Sequence, residues 1–84
     1  MITWINGIND GELAPSLMYA SELAAQRALS TLLSGARAEG RAISQQELAD
    51  LHVWIVRDQR GSILKSWWIS SDEHGPALRY LVRS

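Results

Sequence analysis

Three features of this 84-residue chain predict an α+β fold: a leucine and alanine stripe at helical spacing, two Val/Ile/Trp-rich runs flanking a glycine turn, and a turn-rich opening around Asn6-Gly7 and Asp10-Gly11. The expected architecture is an antiparallel sheet of three to five strands with one main helix packed on one face, in the order β(β)αβββ. Residues 1-84 are read as a single domain, because so short a chain holds too little apolar material for two cores.

Ile2 to Ile5 reads as the first strand, followed by a turn through Asn6-Gly7-Ile8-Asn9-Asp10-Gly11, whose Asn-Gly and Asp-Gly pairs accept the positive φ of tight turns. Ser16 to Ala20 fits a second short strand, or a first helical turn opened by Pro15; the strand is the reading taken. The helix follows. Ala25, Ala28, Leu29, Leu32, Leu33 and Ala36 fall at i, i+3, i+4, i+7, i+8 and i+11, which places them on one helical face. Ser21 is set to cap its start, Glu22 suits the positive end of its dipole, and Gly40 supplies a left-handed stop. Ser44-Gln45-Gln46-Glu47 matches a capping box and predicts a single helical turn there.

Leu51 to Asp58 and Ser62 to Ser70 flank Gln59-Arg60-Gly61, the pattern of a hairpin with a three-residue loop. With Asp58 opposite Ser62, unbroken pairing sets Ile55 against Lys65, Val53 against Trp67 and Leu51 against Ile69. On this register Leu29, Leu32 and Leu33 pack on Val53, Ile55, Trp67 and Ile69. The second face then carries His52, Trp54, Val56, Leu64, Ser66 and Trp68, more apolar than a solvent-facing side should be. Independently of register, the neighbours Trp67 and Trp68 must enter opposite faces. Asp72-Glu73-His74-Gly75-Pro76 reads as a turn. Leu78 to Arg83 fits a last strand, favoured by Tyr80 and Val82, or a helix starting at Pro76.

Composition narrows the function. With 46% hydrophobic and 20% charged residues the chain is expected to fold without a cofactor. The lack of cysteine excludes a disulfide framework, a thiolate metal site and a cysteine nucleophile, and makes a reducing cytoplasm the expected setting. The start, Met1-Ile2-Thr3-Trp4-Ile5, lacks the basic opening and apolar run of a signal peptide, and no segment approaches membrane-spanning length, so no membrane role is expected. Charge is uneven. Residues 1–26 hold three acidic and no basic residues, whereas the remainder holds eight basic and six acidic ones.

No phosphate-binding loop, zinc-protease helix motif, calcium loop or nucleophile elbow occurs, and no catalytic, cofactor-binding or metal residue is assigned. Asp72, Glu73 and His74, with His52, form the sole conceivable hydrolase or metal constellation, but adjacent turn side chains diverge and the spacing suits an ordinary solvated turn. Seven arginines against one lysine raise another possibility. Arg57, Arg60, Arg79 and Arg83 beside Trp54 or Trp68 would suit single-stranded nucleic acid, with bases stacked on indole and phosphates gripped by guanidinium. The mild basic excess and the intervening Asp58, Asp72 and Glu73 weigh against it.

The preferred reading is a small non-enzymatic binding or regulatory module that contacts a protein partner or its own copy. Trp54, Trp68, His52, Arg57, Arg60, Arg79 and Arg83 are the candidate contact residues, since buried tryptophan and arginine dominate protein interfaces. In its turn, alanine-rich helix and Val-Trp-Ile-Val-Arg-Asp-Gln-Arg-Gly-Ser-Ile-Leu hairpin the chain resembles short bacterial and phage proteins, a similarity of size and class that points to no one family. A phage-type inhibitor of a host complex falls under the same binding heading.

Overall fold

Strand β1 (Thr3–Asn9) begins the chain in the computed structural model, which describes residues 2–48 and 51–73. Next come β2 (Glu12–Leu13), β3 (Leu17–Tyr19), helix α1 (Glu22–Ala38), β4 (Ala42–Leu48), β5 (Leu51–Arg57) and β6 (Ile63–Ser70). Among the described residues the six strands form one antiparallel sheet in the order β2-β1-β6-β5-β4, with β3 also paired to β1, and α1 packs on one face. This is the expected α+β class, with one strand beyond the upper count. No helix among the described residues is long and apolar enough to cross a membrane.

The opening turn lies later than Asn6-Gly7. β1 runs straight through that pair and turns at Asp10 and Gly11, both at positive φ (52° and 79°), which join Asn9 to its partner Glu12. Two consecutive left-handed residues give the hairpin turn whose twist matches the flanking strands, and an Asp-Gly pair tolerates it best. Gly7 serves a different need: the Trp67 ring lies across it in the neighbouring strand, so close that a Cβ there would stand 2.9 Å from Trp67 Cδ1.

Helix α1 begins where the capping serine predicts, with the Ser21 hydroxyl accepting from the Ala24 amide at 3.1 Å. It ends in a Schellman arrangement: the Gly40 amide donates to the Arg37 carbonyl at 2.9 Å and the Arg41 amide to the Ala36 carbonyl at 3.2 Å, with Gly40 at φ 81°. Ala25, Leu29, Leu33 and Ala36 are buried. Leu32, at the margin of the stripe, is 36% exposed and is not part of the core as expected.

Two expectations are overturned. Ser44 to Glu47 is the middle of strand β4, paired without interruption to β5, and not a helical turn. A capping box is worth having only where a helix follows, whereas here the chain leaves Gly40 and returns directly to the sheet. The hairpin closes as expected, with the Asp58 amide donating to the Ser62 carbonyl at 3.0 Å. Its register then shifts: Arg57 pairs with Ile63 but Val56 with Lys65, leaving Leu64 as the extra residue of a β-bulge. The Leu64 carbonyl accepts from the Asp10 amide at 3.0 Å, so the bulge keeps its hydrogen bond across to the other side of β6.

The one-residue slip exchanges the faces of β5 relative to β6. Trp67 pairs with Trp54, not Val53, and Trp68 pairs with Val53. Under α1, Ile5, Ala25, Leu29 and Leu33 gather Tyr19, Ile43, Trp54, Trp67 and Ile69. The opposite face holds a second buried cluster of Ile8, Val53, Ile55 and Trp68 with Leu51 against it, all of them strand residues. Thus Val53 and Ile55 do not meet the helix, while Trp67 and Ile69 do. Leu78 to Arg83 lies outside the described residues.

Candidate functional site

The bulge separates the residues expected to form one contact patch. Trp54 lies half-buried on the helix face, whereas Trp68 is wholly buried on the other. Asn6, also fully buried, sits beside Trp68 with its amide nitrogen donating to Ser70 Oγ at 2.7 Å and its amide oxygen accepting from Ser16 Oγ at 2.8 Å. Ser70 Oγ in turn donates to the Asp72 carbonyl. The Trp68 indole Nε1, by contrast, is buried without a hydrogen-bond partner among the described residues. A ring enclosed in this way offers no stacking surface.

The other named residues are scattered. His52 is exposed and stacks at a tilt on Trp54, ring centroids 4.7 Å apart, with its Nε2 2.6 Å from Gln45 Oε1 on β4. Arg57 donates to Ser44 Oγ at 2.8 Å, on the face away from the helix. Arg60 occupies the hairpin loop, its backbone amide held by Asp58 Oδ1 at 2.8 Å. Asp72 and Glu73 are exposed after β6, while His74, Arg79 and Arg83 lie outside the described residues. Among the described residues no three His, Asp or Glu side chains are grouped to hold a metal ion.

Two open grooves flank the start of α1. One, of about 480 Å³, is lined by Glu22, Gln26, His52, Trp54 and Ile69. The other, of about 530 Å³, adjoins it at Glu22 and Ile69 and includes Thr3, Ser21, Leu51, Ser70 and Ser71. Both are wide and mixed in character, and the polar side chains Glu22, Gln26 and His52 that line the smaller one are all exposed, whereas the groups that fix a small ligand are held in a buried pocket.

The sheet edges differ more informatively. At the β1 edge the neighbours are short: β2 has two residues, β3 has three, and Pro15 lies between them. Short strands and proline are the usual means of blunting an edge against stray pairing. β4, at the other edge, has none of these features. It is seven residues long, pairs continuously with β5, contains neither proline nor lysine, and carries a single charge, Glu47. Ala42, Ser44, Gln45, Gln46 and Glu47 are all exposed, and among the described residues no strand pairs with the side of β4 away from β5.

Sequence reasoning missed β4 because its polar alternation resembles a capped turn. The signal that would have found it is the stop at Gly40 followed at once by Ile43, whose side chain joins the core under the helix. No family model matches this chain, and no curated protein or solved structure is significantly similar to it.

Proposed function

We propose that this chain is a small non-enzymatic binding module acting through protein–protein contact, with the β4 edge as its contact surface. The observation that carries this reading is the contrast between the two edges of one sheet, one interrupted and short, the other long, regular and exposed. An unblunted edge offers a row of backbone donors and acceptors to an added strand, whose main-chain hydrogen bonds supply affinity and whose alternate side chains supply specificity. A cytoplasmic setting accords with the cysteine-free composition. Nucleic-acid stacking finds less support, because Trp68 is enclosed and Trp54 packs under the helix.

The test is a photo-reactive side chain placed at Gln46 on β4 or, as a control, at Arg27 on the exposed side of α1. The reading expects a discrete protein adduct from Gln46 and none from Arg27. It also expects that adduct to disappear on Ala42→Lys, since a lysine on an edge is the usual deterrent to pairing. Absence of any adduct from β4, or one insensitive to that change, contradicts it.

A further inference from the structure

We infer that the occupant of the β4 edge is a second copy of this chain, paired β4 to β4 about a twofold axis with Ser44 opposite Ser44. This deepens the binding reading above and rests on it. A twofold axis perpendicular to the sheet keeps both helices on the same side. Directly opposed side chains share a face, so each residue must meet one of like parity and the axis must pass through one self-opposed residue. The possible registers are therefore few.

Charge selects among them. Arg41 immediately precedes β4 and Glu47 lies near its end, and both alternate onto the helix side. Centring on Ser44 sets Arg41 of each copy opposite Glu47 of the other, so one pairing yields two ion pairs. Centring on Ile43 instead carries Glu47 past the start of the strand, level with the Glu39 helix cap, and leaves it without a cationic partner. Centring on Gln45 sets the apolar Ile43 against Glu47. Only the Ser44 register is electrostatically self-complementary.

Arg41 is equipped for this role. Its Nε already lies 3.3 Å from Glu39 Oε2, and a guanidinium has five donors, enough for a second carboxylate. The remaining opposed pairs, Ala42 with Gln46 and Ile43 with Gln45, bring no steric or charge conflict. A single pair of seven-residue strands is smaller than a permanent interface, so the dimer should be transient, with Kd on the order of 100 μM.

The experiment is sedimentation equilibrium from about 10 μM to about 1 mM on the full chain, with far-UV circular dichroism confirming that each variant is folded. Wild type is expected to move from 9.3 kDa towards about twice that mass. Arg41→Glu and Glu47→Arg each oppose like charges twice and should weaken the dimer by about tenfold. Their equimolar mixture should recover wild-type affinity, since in that heterodimer both positions again carry opposite charges. A wild type that stays at 9.3 kDa throughout, single variants that dimerise as well as wild type, or a mixture no tighter than its components overturns the inference. Crosslinking from Gln46 separates the two levels: an adduct to a different protein sinks self-pairing alone, and no adduct sinks the edge reading with it.

Discussion

Replacing Gly7 by alanine tests the close approach of β1 and β6 that seats Trp67. The added Cβ would lie 2.9 Å from Trp67 Cδ1 and 3.3 Å from both Trp67 Nε1 and the Ser66 carbonyl. Carbon atoms are comfortable at about 3.5–4.0 Å, so the ring must retreat by roughly half an ångström or more. It has little room, because it packs against the cluster that holds Leu29, Leu33 and Trp54. One methyl of overpacking costs about 1–3 kcal/mol. Gly7 is not among the positive-φ residues, so its backbone accepts alanine, and the reduced freedom of the unfolded chain offsets about 0.4–1 kcal/mol. The net loss should be about 1–2 kcal/mol, a fall in Tm of roughly 5–15 °C for a domain of this size. Urea unfolding of Gly7→Ala reads it directly. The same substitution in a Trp67→Leu background should cost measurably less, which locates the clash at the ring. If Gly7→Ala is as stable as wild type, or if its cost is unchanged without Trp67, the packing of β1 on β6 described above is wrong.

Leu29→Ala should cost about 2–5 kcal/mol in urea unfolding, whereas Leu32→Ala, at a position 36% exposed, should cost less than half as much. Near-equal losses would mean that the helix is rotated about its axis relative to the sheet. Asn6→Ala removes the side chain that links Ser16 and Ser70 in the buried layer beside Trp68, and should cost about 1–3 kcal/mol because those hydroxyls lose a partner. A neutral Asn6→Ala in the same assay would show that the network contributes nothing net.

The start and end of the helix were legible from Ser21 and Gly40 by local chemistry alone, and the leucine stripe gave its buried face apart from Leu32, which lies at the margin. The hairpin loop was legible for the same reason, and Gly61 does adopt a positive φ of 86°. What followed the loop was not. A bulge at Leu64 has no local signature, because its carbonyl is met by the Asp10 amide of a turn more than fifty residues earlier. That single insertion exchanges Val53 for Trp54 under the helix, and with it the whole assignment of faces on β5.

Ser44-Gln45-Gln46-Glu47 failed differently. Its pattern satisfies a genuine local rule, but the rule describes a helix start, and pairing with β5 outweighs it. The necessity that Trp67 and Trp68 diverge was sound, since it depends on strand geometry and not on register. Which of the two met the helix was correctly expected. That Trp54 would join it was not, and so the proposed Trp54 and Trp68 patch is divided between two faces. The β4 edge came to light only with the sheet order, which no stretch of the chain encodes by itself.

Residue-resolved amide hydrogen exchange on the isolated protein at about 10 μM and about 1 mM tests most directly the claim that β4 is where this chain meets protein, beginning with its own copy. Alternate amides between Ala42 and Glu47, those directed away from β5, should slow at the higher concentration, while the Leu17–Tyr19 edge keeps its rates. Unchanged exchange along β4, or new protection confined to β3 or to α1, would contradict it.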